Sequence, residues 1–256
     1  MITLGSNITN YLLASLIFIM IIDVFLINYD SSEEIIISAG GRLPDELQSH
    51  YTIQDSSGNV LDTVNLPAKL DFNIYIKNSH NYTEEKINAI KYPIISTDTV
   101  EVPNEYLGIS PEDETTTYFK GWMGAGTYLH ETFDIVDVEP PKIHFVDSFL
   151  FADVIIELVR SSHPEGYAGW TTSTIDLREG YVVQSKVILY NFDKLSISNI
   201  ETLTRHEMGH VVGLVHSTDP DNLMYPVFET NFPYIAPCDM ASFQSDKFES
   251  KVVCDD

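Results

Sequence analysis

Residues 206–216 read HEMGHVVGLVH, and this run constrains the fold more than any other part of the chain. On a helix, positions i and i+4 share one face, so His206 and His210 point the same way and can share one ion. Imidazole nitrogens bind zinc at roughly 2.0–2.1 Å, and a catalytic zinc needs three protein ligands and one open position. Gly213 can adopt the left-handed conformation that ends a helix, so the chain can turn and bring His216 to the same ion. The spacing therefore predicts one zinc held by a helix and the turn after it.

Glu207 directly follows the first histidine and is expected beside the open zinc position. A carboxylate there can take a proton from zinc-bound water, whose pKa falls towards about 7 on the metal. A bare His-Glu-x-x-His run has another interpretation, in which two helical histidines flank a surface salt bridge. The added glycine and third histidine favour the zinc site, with Glu207 as its general base.

Residues 206–226, HEMGHVVGLVHSTDPDNLMYP, resemble the active-site region of matrixins, the matrix-metalloproteinase branch of the metzincins. Ser217 after the third histidine and the short run to Met224 are traits of that family. The resemblance implies that Met224 lies beneath the zinc as an apolar floor, although an ordinary core methionine would pack in the same way. It also implies a zinc-dependent metalloendopeptidase, which hydrolyses peptide bonds of extracellular proteins or peptides by Glu-assisted attack of zinc-bound water.

The same resemblance suggests where a substrate lies. Residues 166–169, Gly-Tyr-Ala-Gly, resemble the family's edge strand above the cleft, to which an extended peptide would add as a further strand. Pro226, Val227 and Phe228 would wall the pocket for the residue after the cut, although Phe228 fits a core position equally well. The expected substrate-binding residues are Tyr167, Ala168, Gly169, Pro226, Val227 and Phe228.

Strand and helix patterns alternate from residue 70 onwards. Thr83 or Asn81 is expected to cap a first helix, and Ser198 with Glu201 three residues later forms a capping box before the zinc motif. This order predicts the α+β class, with a twisted mixed sheet and helices packed on it. The resemblance implies a metzincin-like zincin fold with an active-site helix and a C-terminal helix within residues 239–248. The predicted strands cover residues 70–76, 141–146, 152–159, 166–173 (short or at an edge) and 186–190.

The chain divides into three predicted parts. Residues 1–28 form an N-terminal signal or anchor segment, because residues 11–28 are almost wholly apolar and would make a hydrophobic helix of roughly 27 Å. Residues 29–65 are interpreted as a stalk or pro-segment. The catalytic domain covers residues 66–256, with 97–139 as a candidate insertion. We expect an extracellular catalytic domain, anchored to the membrane through residues 11–28, or secreted if that segment is cleaved.

The charge and the cysteine content indicate which partners, ions and cross-links to expect. The formal net charge of -24 disfavours nucleic-acid binding. Calcium is compatible with this acidity, but no loop reads as an EF-hand, so we assign no calcium site. Cys238 and Cys254 suggest one disulfide in an exported chain, or two thiols in a cytosolic one. The structural zinc of animal matrixins is not expected, since only His163 precedes the motif in the relevant region.

A second functional class stays open at this point. The chain can be a non-catalytic adhesion or sensor module that binds zinc on a metzincin scaffold. All three histidines and Glu207 are present, which favours the enzyme, because degenerate relatives usually lose one of them. Retention of zinc with loss of peptide cleavage in Glu207→Ala would distinguish the enzyme from the module.

Overall fold

The computed structural model describes residues 35–39, 51–54, 60–64, 71–107, 111, 113–133, 141–176, 181–217, 219–227 and 232–241. All of them belong to one compact unit that begins at Ile35. The predicted N-terminal segment, residues 1–28, lies outside these ranges, as does most of the predicted C-terminal helix. None of the helices within these ranges is long and apolar enough to span a bilayer.

Strands and helices are numbered separately along the chain. The strands are β1 (Ile35–Ala39), β2 (Tyr51–Gln54), β3 (Val60–Val64), β4 (Asp71–Lys77), β5 (Thr99–Pro103), β6 (Thr115–Phe119), β7 (Lys142–Phe145), β8 (Val154–Leu158), β9 (Gly169–Asp176) and β10 (Tyr181–Leu189). The helices are α1 (Glu84–Ile95), α2 (Asn104–Leu107), α3 (Trp122–Phe133), α4 (Ile197–Val211) and α5 (Pro237–Ala241).

Six of these strands form one mixed sheet in the order β1-β9-β10-β8-β4-β7. Strands β10, β8, β4 and β7 run parallel to one another, whereas β9 is antiparallel to β10 and β1 is antiparallel to β9. Alternate residues of β8 are buried, namely Val154, Ile156 and Leu158, as expected for a strand with one face on the core. The predicted α+β class with a mixed sheet is therefore present.

Helices α1 and α4 pack against each other, and α4 also lies against β9 and β10. Ile90 of α1, Ile200 of α4 and Val187 of β10 belong to one continuous apolar core. Thr83 caps α1 as predicted, through a bond from Lys86 N to its hydroxyl. The cap predicted for α4 at Ser198 is wrong, because Ser196 accepts the hydrogen bond from Asn199 N and the helix begins two residues earlier.

The strand predicted over residues 166–173 forms three residues later, as β9. Its edge position is also wrong over most of its length, because β1 pairs with it from Ile35 opposite Ile175 to Ala39 opposite Thr171. The isoleucine run of β1 favours a strand, and its pairing satisfies backbone groups that an edge would leave open. Gly169 and Trp170 extend past the end of this pairing.

Residues 97–139, the candidate insertion, contain regular structure where no strand or helix was predicted. β5 and β6 form an antiparallel pair, and α3 follows β6. Trp122 of α3 is fully buried, and its indole nitrogen donates to the carbonyl of Arg205 on α4. This bond and the burial of Trp122 tie α3 to the helix that carries the zinc motif.

Candidate metal and catalytic site

His206 and His210 lie one turn apart on the last two turns of α4. The helix ends at Val211, and Gly213, two residues later, has a φ of 96° in the left-handed region. Leu214 N donates to Gly209 O at 2.9 Å and Gly213 N donates to His210 O at 3.1 Å, the two bonds of a Schellman cap. This cap reverses the chain at Gly213, and His216 follows three residues later beside the two helical histidines.

Hydrogen bonds fix the ring form of the two helical histidines. His206 Nδ1 lies 2.8 Å from Leu223 O, and His210 Nδ1 lies 2.8 Å from Leu214 O. A carbonyl oxygen only accepts, so each Nδ1 carries the proton and donates it. The Nε2 atom of each ring is left with a free lone pair, as a metal ligand requires.

The three rings fit a zinc ion. One ligand nitrogen from each of His206, His210 and His216 lies within 4.8 Å of the other two. His210 Nε2 and His216 Nε2 are 3.2 Å apart. Tetrahedral coordination at roughly 2.0–2.1 Å requires ligand nitrogens about 3.3 Å apart, so this pair is already at the spacing of a zinc site.

The electrostatic environment keeps these rings neutral. Burial lowers the pKa of His206 below its usual value, and burial together with the neighbouring histidines lowers the pKa of His210 well below it. Burial, with a smaller effect of His206, lowers the pKa of His216 to about 4. Neutral imidazole is the metal-binding form, so protons compete little with a metal near neutral pH.

Glu207 is 4% exposed and points from α4 towards β9. Thr171 Oγ1 donates to Glu207 Oε2 at 2.6 Å. Burial raises the pKa of Glu207 to about 7, and the hydrogen bond from Thr171 partly opposes that rise. A buried carboxylate with a pKa near 7 and a short hydrogen bond is suited to accept and return a proton.

Met224 lies against the helix between the two histidines of α4. A methyl group at Gly209 would come within 2.4 Å of Met224 Sδ, so only a glycine leaves room there. The loop that brings Met224 to this place is closed by a bond from Ser217 N to Met224 O. Asn222 Oδ1 accepts from Met224 N, and Asn222 Nδ2 donates to Asp239 Oδ1 of α5.

The residues predicted to bind substrate differ in how exposed they are. Tyr167, Pro226 and Val227 are exposed, whereas Ala168 and Gly169 are half-buried. Phe228 lies outside the described residues, so its wall position stays a prediction. Cys238 lies in the short helix α5, but Cys254 lies outside the described residues, and the disulfide also stays a prediction.

Three residues around the site were missed in the sequence. Thr171 and Asp239 contact the site only through the tertiary fold, 36 residues before Glu207 and 17 residues after Asn222, respectively. Asn222 carried a weak local signal, because Asn in a turn commonly bonds to a backbone amide two residues on. No spacing rule marks the other two.

The chain is similar to one protein family and to individual known proteins. The family model described as matrixin, of the M10 peptidases, matches residues 117–244, which is 128 of the 256 residues. Human (Homo sapiens) matrix metalloproteinase-20 is 53% identical over 36 residues, which are 14% of this chain and 8% of that protein. The chain thus aligns with less than a tenth of that relative. The solved structure of metalloproteinase-II from Bacteroides fragilis is 16% identical, with a TM-score of 0.36 over 75% of this chain and 54% of that one.

Proposed function

This chain belongs to the matrixin family, and on that premise we propose that it is a zinc-dependent metalloendopeptidase. One observation carries the proposal. Three neutral histidines converge to zinc-ligand spacing, and the buried carboxylate of Glu207 follows the first of them on the same helix. A purely structural zinc site would be closed by a fourth protein ligand, and among the described residues the cluster consists of three histidines alone.

Nitrogen atoms of His206, His210 and His216 would hold the ion, with Leu223 O and Leu214 O orienting the two helical rings. Zinc in such a site supplies a Lewis acid that polarises the scissile carbonyl and makes water nucleophilic near neutral pH. Glu207 accepts a proton from the attacking water and delivers it to the departing amine nitrogen. Met224 is buried against α4 at Gly209, and its apolar side chain would form the floor beneath the ion.

The proposed substrate is an extended peptide of an extracellular protein. Support comes from the end of β9, where Gly169 and Trp170 extend past the pairing with β1. Among the described residues, no strand pairs with these two on the side of β1, and a peptide would add there as a further strand beside Glu207. We place the enzyme outside the cell, held at the membrane by residues 11–28 or released when that segment is cleaved. N-terminal sequencing of the mature chain from its native host distinguishes anchoring from release.

Cleavage profiling of a peptide library tests the proposed activity. We expect the zinc-loaded chain to cut internal peptide bonds, to lose activity with a chelator and to regain it with one equivalent of zinc. His80→Ala removes an exposed histidine outside the site and serves as the control that keeps full activity. A zinc-loaded chain that cuts no peptide would contradict the proposal and favour a zinc-binding adhesion or sensor module.

A further inference from the structure

Thr171 is the buried residue of β9 that reaches the helix. It is 1% exposed, and its hydroxyl lies 2.6 Å from Glu207 Oε2 and 3.3 Å from Glu207 O. A hydroxyl has one proton to donate, and the shorter contact to the charged group is the stronger bond. The proton of Thr171 therefore goes to the carboxylate.

A buried hydroxyl at this position needs an explanation, because an unpaired one would cost free energy and valine would suit a strand at least as well. The inward face of β9 carries Thr171, Ser173 and Ile175. Ser173 is satisfied within the sheet, since its hydroxyl lies 2.8 Å from the hydroxyl of Ser185 on β10. Thr171 has the same burial but directs its proton out of the sheet to α4.

Gly169 acts on the other oxygen of the same carboxylate. It lies two residues before Thr171, so the two positions share one face of the strand. A Cβ atom at Gly169 would lie 2.1 Å from Glu207 Oε1 and 2.6 Å from Glu207 Cδ. Any side chain larger than hydrogen would thus expel the carboxylate from its present place.

We propose that β9 positions the general base, with the Thr171 hydroxyl anchoring Glu207 Oε2 and the absent side chain of Gly169 leaving the space for Oε1. This inference rests on the proposed peptidase function. Both residues are positioning residues, which act through Glu207. Fixing a glutamate side chain in one conformation costs rotamer entropy, and contacts that already hold the carboxylate lower that cost when the proton is transferred.

Four variants test the inference. Thr171→Val keeps the shape and removes the hydroxyl, Thr171→Ser restores the hydroxyl, and Gly169→Ala fills the space. Ser173→Ala is the matched control, because it removes a buried hydroxyl from the same strand face that does not contact Glu207. We expect kcat to fall about 10- to 100-fold in Thr171→Val and Gly169→Ala, at unchanged KM and one zinc per chain. Thr171→Ser should stay within about threefold of wild type, as should Ser173→Ala.

Crystal structures of the zinc-free variants give a readout independent of activity. The Glu207 carboxylate should stay in place in Thr171→Ser and Ser173→Ala, and should leave its position in Thr171→Val and Gly169→Ala. An unmoved carboxylate in Thr171→Val, or a wild-type kcat in that variant, would overturn the inference. A wild-type chain that holds zinc and cuts nothing would instead refute the proposed function, and the carboxylate positions would still decide the role of β9.

Discussion

Asp239→Asn is expected to remove a pH dependence of stability that the wild-type chain carries. Asp239 is 2% exposed, and its carboxylate accepts hydrogen bonds from Ala236 N at 2.7 Å and Asn222 Nδ2 at 3.0 Å. Burial raises the pKa of Asp239 from 3.8 to about 6, against the opposing effect of the two hydrogen bonds. The carboxyl thus binds a proton more tightly in the folded chain than in the unfolded one.

The sign of the effect follows from that difference. Where the folded state binds more protons, the free energy of unfolding falls as pH rises. The contribution of Asp239 is therefore complete below about pH 4 and is lost as the pH rises through about 6. At about 1.4 kcal/mol per pKa unit, the whole window amounts to about 3 kcal/mol, of which about 1 kcal/mol falls between pH 5 and pH 7.

Urea unfolding of zinc-free protein at pH 5, 6 and 7 measures this contribution. The unfolding free energy of wild type minus that of Asp239→Asn should fall by about 1 kcal/mol from pH 5 to pH 7. Asp193→Asn replaces an exposed carboxylate and should give a curve parallel to wild type. Parallel curves for Asp239→Asn as well would show that the buried carboxyl titrates alike in the folded and unfolded states, which contradicts the prediction.

Three further outcomes follow from the site. Gly209→Ala should destabilise the chain by about 1–3 kcal/mol in urea unfolding, because the new methyl meets Met224 Sδ, although alanine normally favours a helix. Adding Met224→Ala to that variant should recover part of the loss. Gly213→Ala should cost about 1–2 kcal/mol at its φ of 96° and weaken zinc binding, measured by thermal unfolding and chelator competition. Three histidines with ordinary pKa values would lose roughly 60-fold in zinc affinity between pH 8 and pH 6. Because the pKa values of His206, His210 and His216 are lowered, Glu207→Gln should lose far less. A loss of roughly 60-fold in that variant would contradict the lowered pKa values.

The zinc motif was predictable because its geometry is local. His206 and His210 are one helical turn apart, and Gly213 supplies the turn, so residue spacing alone brings the ligands together. The contact between Thr171 and Glu207 was not predictable in that way. It requires β9 and α4 to pack in one particular register, and the sequence carries no periodic signal of that packing.

Two errors in the predicted secondary structure also have physical causes. Ser196 and Ser198 both resemble a helix cap, and the capping box favoured Ser198, although the hydroxyl of Ser196 makes the bond. Helix α3 was missed because the glycines in it and directly before it read as loop residues. Gly121 and Gly124 in fact serve close packing, since a Cβ atom would lie 2.5 Å from Ser96 O at the first and 2.9 Å from Thr97 Cα at the second.

Glu207 is proposed to act as the general base beside a zinc held by three histidines. The most direct test compares wild type and Glu207→Gln in zinc content and in kcat for one peptide taken from the library profile. We predict one zinc per chain in both proteins and a kcat about 100- to 10,000-fold lower in the variant. A variant that keeps its zinc and cleaves the peptide at the wild-type rate would contradict the claim.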